Sequence, residues 1–298
     1  MALLIFSIVL ITLLGYLAQF IGLCMVRGVN EWREGKPEFL LAIVFSGAFS
    51  WLAYFYANYF DLPLQSQLYQ AGFAFALGGF IFGLGSALNN GCGVSTLNKL
   101  TRGDLSMIAT MFGWLLGWLI LSAIPPMFDL QQIEQSQTFT LTMLVLISAV
   151  LLIWILRGSA ERRKLWLTMF GIGLLAGVIF LYEPGWTPSS ILRDTSHSML
   201  SEMSEFPSVR RLLLFTFLLM GMFISAIHKK SFKLVIPTMK SIIVHTIGGV
   251  FMGVGAALAL GGNDSQLLVS LPTLSPASIV SVLCIILGIR AGQLALKR

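Results

Sequence analysis

"GGFIFGLGSALNNGCGVSTLNKL", residues 78–100, decides how this chain is read. An oily, glycine-rich run gives way to two asparagines, a Gly-Cys-Gly triplet, a serine and a threonine, and then a lysine. The pattern returns at residues 248–270 as "GGVFMGVGAALALGGNDSQLLVS". Gly78, Gly79, Gly83, Gly85, Ala87, Leu88, Gly91 and Ser95 coincide with Gly248, Gly249, Gly253, Gly255, Ala257, Leu258, Gly261 and Ser265 at a constant offset of 170. Glycines that agree in register over such a length mark an internal repeat. Each copy ends a hydrophobic run in a polar break.

The rest of the chain sets the medium. Of 298 residues, 56% are hydrophobic and only 11% charged, against about 25% charged in soluble domains. The composition is that of an all-α polytopic membrane protein. Nearly uncharged runs at 3–26, 39–60, 70–90, 105–124, 138–156, 165–182, 212–227, 241–260 and 277–296 give nine expected spans. Each is close to the ~17–25 residues that cross a bilayer as a helix. The first is too long, and too poor in preceding basic residues, to be a signal peptide, so it reads as a span.

Basic residues orient the spans. Arg27, Arg33, Lys36, Lys99, Arg102, Arg157, Arg162, Arg163, Lys164, Lys229, Lys230, Lys233, Lys240, Lys297 and Arg298 fall on one side if the N-terminus is outside. Asp61, Asp129, Glu134, Glu202, Glu205 and Asp264 fall in the opposite loops, and only Arg193, Arg210 and Arg211 break the rule. The expected location is a bacterial inner membrane, with the C-terminus cytoplasmic. The net charge of +6 is thus a topology signal and implies no nucleic-acid partner. Cys24, Cys92 and Cys284 form no CxxC pair, so neither a metal site nor a cofactor is expected.

In this orientation the third span runs inward and the eighth outward, so the two copies are antiparallel. The expected layout is an inverted repeat with short broken or re-entrant helices. Residues 1–137 hold spans 1–4, residues 138–164 the connecting span 5 and its loop, and residues 165–298 spans 6–9. Inverted repeats place a solute path near the midplane where the halves meet. The first span of each half also ends in a glycine-led polar stretch, "GLCMVRGVNE" from Gly22 and "GWTPSSILRD" from Gly185.

The polar break carries the chemistry. Asn89–Ser95 has poor helix propensity, and unwound backbone at membrane depth is tolerated only when buried in protein or lining a cavity. Glycines flank Cys92, leaving its sulfur uncrowded. A short helix starting near "STLNKL" would turn free amides toward that sulfur and form a small anion site. A thiol there is a better hydrogen-bond donor or nucleophile. Candidate path residues are Cys92, Cys24, Gly91, Gly93, Asn90, Ser95 and Gly22 in the first half, with Gly261, Gly262, Asn263 and Thr187 in the second. Cys284 reads as a small hydrophobic filler, Lys99 and Arg102 as solvated topology charges, Asp104 as a helix cap, and Trp186 as an interfacial anchor.

At "GLCMVRG", "GLGSALNNGCGVSTLNKLTRGDLS" and "GGVFMGVGAALALGGN" the chain resembles the YeeE/YedE family of transporters for sulfur-containing ions. The resemblance covers essentially the whole length. It implies an hourglass-like helical protein in which cysteines on broken segments hand a small inorganic sulfur-containing anion, such as thiosulfate, across by S–H hydrogen bonds. By position Cys24 and Cys92 match two of those cysteines. The third place, often G-C-N in the family, here reads Gly261-Gly262-Asn263. The departure leaves related sulfur or selenium species open as substrates. The resemblance also implies a cytoplasmic TusA-like sulfur carrier as partner, alongside the lipid bilayer.

Two other readings compete. A membrane thiol enzyme, a sulfurtransferase or oxidoreductase using Cys92, needs a base that His197, His228 and His245 do not visibly supply. An accessory membrane subunit would have no need of unwound segments. The expected role is therefore transport, with no catalytic residues.

Overall fold

A computed structural model describes residues 2–60, 62, 68–124, 127–200 and 204–296. Asp61, Glu202, Lys297 and Arg298, four of the charges used for orientation, lie outside the described residues. The described chain is helical almost throughout. In order it forms α1 (Ala2–Ile21), α2 (Met25–Arg33), α3 (Glu38–Val44), α4 (Trp51–Tyr59), α5 (Phe73–Leu88), α6 (Gly93–Thr101), α7 (Ser106–Ser122), α8 (Gln137–Leu156), α9 (Ala160–Tyr182), α10 (Pro188–Leu200), α11 (Val209–His228), α12 (Met239–Leu258), α13 (Asn263–Ser265) and α14 (Pro276–Ala295). A tight 3₁₀ segment, Ser46–Ser50, joins α3 to α4, and a π-helical turn, Gln266–Ser270, extends α13.

Eight helical segments among the described residues are long and apolar enough to cross a bilayer. The protein is a polytopic all-α membrane protein. The ninth expected span, α7, is a shorter apolar helix of 17 residues, about 25 Å long at 1.5 Å per residue. The basic loop expected at 27–38 is instead largely helical. In α2, Met25, Val26, Gly28 and Val29 are buried while Arg27 and Arg33 face out, so an amphipathic helix folds back against the bundle.

Hydroxyl caps start several of the long helices. Ser159, Ser208 and Thr238 accept the backbone N–H of Arg162, Arg211 and Ser241 at 3.2, 3.4 and 3.2 Å, each satisfying an amide that the first turn leaves unpaired. The expected cap at Asp104 is present: its Oδ1 accepts the Ser106 N–H at 3.1 Å.

Glycine governs the centre. A Cβ on Gly78 would meet the Gly255 carbonyl at 2.7 Å, and one on Gly85 the Gly248 carbonyl at 2.6 Å. The crossing helices α5 and α12 are therefore antiparallel and in backbone contact, as small residues permit in membranes. The pairing also exchanges partners. Gly78 and Gly248 are equivalent under the 170-residue offset, as are Gly85 and Gly255, and each meets the other copy's opposite member. The flanking pairs follow suit: Gly79 and Gly83 of α5 press on α14, while Gly249 and Gly253 of α12 press on α7.

Candidate functional site

The two polar breaks fold alike, bond for bond. Asn90 and Leu260 both take left-handed backbone, with φ of 50° and 58°. The Gly91 N–H reaches the Ser86 carbonyl at 2.9 Å, and the Gly261 N–H the Ala256 carbonyl at 2.7 Å. The Thr96 N–H then closes on the Cys92 carbonyl at 2.9 Å, as the Gln266 N–H does on Gly262 at 2.9 Å. Each long helix thus ends in a left-handed turn, and a new short helix starts three residues after the left-handed one. Cys92 caps α6 and Gly262 caps α13.

Two more helix starts join them. Cys24 caps α2, the break being turned by Gly22 at a φ of +67°. Thr187 immediately precedes α10. The four starts pack together at the centre of the molecule. The Cys24 thiol faces that of Cys92 and the Ser95 hydroxyl. The corresponding second-half pair, the Thr187 and Ser265 hydroxyls, are 2.9 Å apart. The halves touch directly where the Gly93 N–H donates to Asn263 Oδ1 at 3.0 Å, with the Trp114 ring lying against both Gly93 and Gly262.

Most of the expected path residues therefore meet in one place. Cys92, Gly91, Gly93, Ser95, Gly261, Gly262, Asn263 and Thr187 are buried, and Cys24 and Gly22 half-buried. Asn90 differs: it is exposed, and its contribution is its carbonyl, which accepts the Lys99 ammonium at 2.8 Å. Lys99 folds back onto the break rather than standing free as expected. Asn89, which the sequence reading did not single out, is the buried organiser. Its amide donates to the Gly91 carbonyl at 2.9 Å and to Thr96 Oγ1 at 2.8 Å. Its oxygen accepts from Thr110 at 2.7 Å and lies 2.7 Å from His245 Nδ1.

Two residues require correction. Trp186 is 1% exposed and sits in the core, where the start of α10 carries it, so it is not an interfacial anchor. Asp264 is 2% exposed and is no loop charge. Its Oδ2 accepts the Ser189 N–H at 2.8 Å, and its Oδ1 accepts the Ser189 hydroxyl. The arginines that break the charge rule are each bound: Arg210 to Glu183, Arg211 to Asp194 at 2.5 Å and Arg193 to Asp194 at 2.8 Å.

Cavities flank this centre at both ends of the bundle. One of about 310 Å³ is lined by Arg193, Ser190, Ser265, Gln266 and other polar groups. At the opposite end a cavity of about 820 Å³ is lined by Arg27, Lys36, Arg162, Lys164 and Lys229 with three glutamates. Between them the space beside Cys92, Asn263 and Asp264 shrinks to about 10 Å³, too small for a polyatomic anion. The arrangement is a closed constriction made of helix N-termini, with a cavity rich in basic residues on one side and a polar cavity holding Arg193 on the other.

A constriction of thiols and amides within a helical membrane protein suits passage of a small anion. The model of the sulphur transport family matches the chain twice, over residues 20–169 and 127–291. Together the matches take in both polar breaks and all four short-helix starts. No curated protein matches the chain. The family match spans most of the length, and the glycine-led breaks lie within it; the chain belongs to the YeeE/YedE sulphur transport family.

Proposed function

We propose that this transporter of sulfur compounds carries a small inorganic sulfur-containing anion of the thiosulfate type inward, past Cys92 and then Cys24. The observation that carries the reading is the state of the amides at the constriction. The Met25 N–H, at the start of α2, has only the Cys92 sulfur as acceptor, at 3.4 Å. Thioether and thiol sulfurs are weak acceptors. An oxyanion arriving there would replace a weak partner with a strong one, and charge-assisted hydrogen bonds are about twice as strong as neutral ones. The thiols of Cys24 and Cys92 would each supply a further S–H donor. None of these contacts is a full positive charge, which keeps binding weak enough for release.

The exchanged glycine contacts of α5 and α12 support a two-fold relation between residues 1–137 and 165–298, with 138–164 as connector. Charge placement supports an inner-membrane setting with the N-terminus outside, so that the Arg193 cavity receives the anion and the larger basic cavity discharges it. A TusA-like carrier would take the sulfur on the cytoplasmic side. In the second half Thr187 stands in the place of Cys24 and Ser265 in that of Ser95, and hydroxyl donors suffice for hydrogen bonding to an oxyanion.

Growth of a bacterial strain that cannot import sulfate or thiosulfate tests the reading, with thiosulfate as sole sulfur source. Wild type is expected to restore growth and Cys92→Ala to fail at equal membrane expression. Equal growth with both would remove the thiols from the path, and growth with neither would remove thiosulfate as the substrate.

A further inference from the structure

Asp264 is a buried carboxylate at the constriction, and nothing in the path described so far uses it. By the 170-residue offset it occupies the place of Val94. The first half thus leaves the Met25 N–H to a weak sulfur acceptor, whereas the second supplies a carboxyl group of its own. Ser189, in the first turn of α10, gives that carboxylate both its N–H and its hydroxyl. The Ser189 oxygen in turn accepts the Gly262 N–H at 3.0 Å. Among the described residues no ion pair reaches Asp264.

Apart from Ser46, Asn263 and Cys92, the surroundings are apolar. Elements α1, α9 and α11 turn only aliphatic and methionine side chains to the two small cavities that Asp264 lines, and the one other titratable group there is Cys92. Trp186 lines one of these cavities, and its indole N–H is buried without an acceptor. A donor is therefore available beside Asp264 for a group that is not the carboxylate. Ser265, the next residue, lines the Arg193 cavity, so an anion entering from that side meets Asp264 before Cys92.

Two anions in contact at a dry site cannot both keep their charge, and one must be neutralised or leave. We propose that Asp264 is a proton-binding stand-in for the transported anion, and that a proton enters with each anion that passes. This rests on the reading of the protein as an anion permease. With the constriction empty, the carboxylate holds the start of α10. When the anion arrives, the Asp264 carboxylate takes up one proton from the water of the Arg193 cavity and becomes a neutral carboxylic acid. It then yields the Ser189 N–H and hydroxyl to the anion, with the Trp186 N–H as a further donor. Once the anion has moved on to the thiols, Asp264 gives up its proton toward the water of the larger basic cavity, the side to which the anion moves, and returns to Ser189. No electrons change hands.

The test uses purified full-length protein in liposomes, with radiolabelled thiosulfate outside and a pH dye inside. Wild type should take up thiosulfate faster as the external pH falls, by up to about tenfold per unit where the site is mostly ionised, and should acidify the lumen. Asp264→Asn, similar in shape but fixed neutral, should lose both the pH dependence and the acidification. A second measurement needs no variant: thiosulfate added to weakly buffered wild-type protein in detergent should raise the pH of the medium. Thiosulfate uptake by wild type without proton uptake, or a pH dependence that survives Asp264→Asn, overturns this inference and leaves the transport reading standing. Absence of thiosulfate uptake by wild type overturns the transport reading, and this inference with it.

Discussion

The break after α5 and the break after α12 share a backbone and differ in chemistry. Both end a glycine-rich helix in a left-handed residue, close it with the same backbone bonds and start a short helix three residues later. At the capping position one has the Cys92 thiol and the other Gly262. One residue past the helix start, one has Val94 and the other Asp264. The difference separates scaffold from lining: the two breaks share a backbone geometry while their polar side chains differ. It also gives a physical reason for the missing thiol. A Cβ on Gly262 would lie 2.6 Å from Ser189 Oγ and 2.9 Å from both Asp264 Oδ1 and Trp114. The carboxylate network has taken the space that a cysteine would need.

Substitutions can break this comparison at its strongest point first. If the two copies are equivalent at the helix crossing, Gly85→Val and Gly255→Val should destabilise the protein alike. Each inserts atoms between backbones already in contact, and overpacking of this kind costs about 3 kcal/mol. Thermal unfolding in detergent should show similarly large falls in Tm for both. A large effect from one alone would break the equivalence of the scaffold.

Asn89→Ala should come next, at about 2 kcal/mol, because the Gly91 carbonyl, Thr96, Thr110 and His245 lose a buried partner together. The second-half counterpart is Ala259, so Ala259→Gly should produce no comparable loss. The same unfolding assay sharpens where the halves differ.

Gly262→Cys should cost about 1–2 kcal/mol by crowding Ser189 and Asp264. Combined with Asp264→Val, the cost should be less than the sum of the two, since both changes disturb the same hydrogen bonds. Additive costs would mean that the carboxylate is not what excludes a thiol there. The smallest effect should come from Lys99→Met. It removes one partly solvated bond to the Asn90 carbonyl, about 0.5–1 kcal/mol, and a barely shifted Tm would confirm it.

Much of the architecture is legible from the sequence because lipid makes it so. Uncharged runs give the spans, and the glycine register gives the antiparallel repeat of α5 and α12, while their crossing emerges only from the packing. Cys92, Gly93 and Ser95 are legible for a related reason: a helix-poor polar stretch in an apolar chain has few permitted places. The start of α6 is found at Gly93, two residues before the expected Ser95. What stays hidden depends on packing from elsewhere in the chain. The interruption at Ser46–Ser50 lies inside an uncharged run, where Gly173 of α9 lets that helix approach the Ser46 backbone. Asp264 next to glycines at a helix end looks like any loop acid, and Trp186 near a span end looks like any interfacial anchor. Both are buried because the start of α10 folds inward, and α10 has no apolar run to announce it. One signal was available for Asp264. It is the sole charge in a 23-residue stretch whose first-half equivalent at that position is valine.

The central claim is that a sulfur-containing anion crosses at the thiol pair. The most direct measurement is initial uptake of radiolabelled thiosulfate into liposomes holding wild type, Cys92→Ala or Cys24→Ala at equal protein content. The account predicts uptake by wild type above empty liposomes, a loss of at least about tenfold in Cys92→Ala, equivalent to about 1.4 kcal/mol, and a smaller loss in Cys24→Ala. Wild-type rates retained by both variants would contradict it.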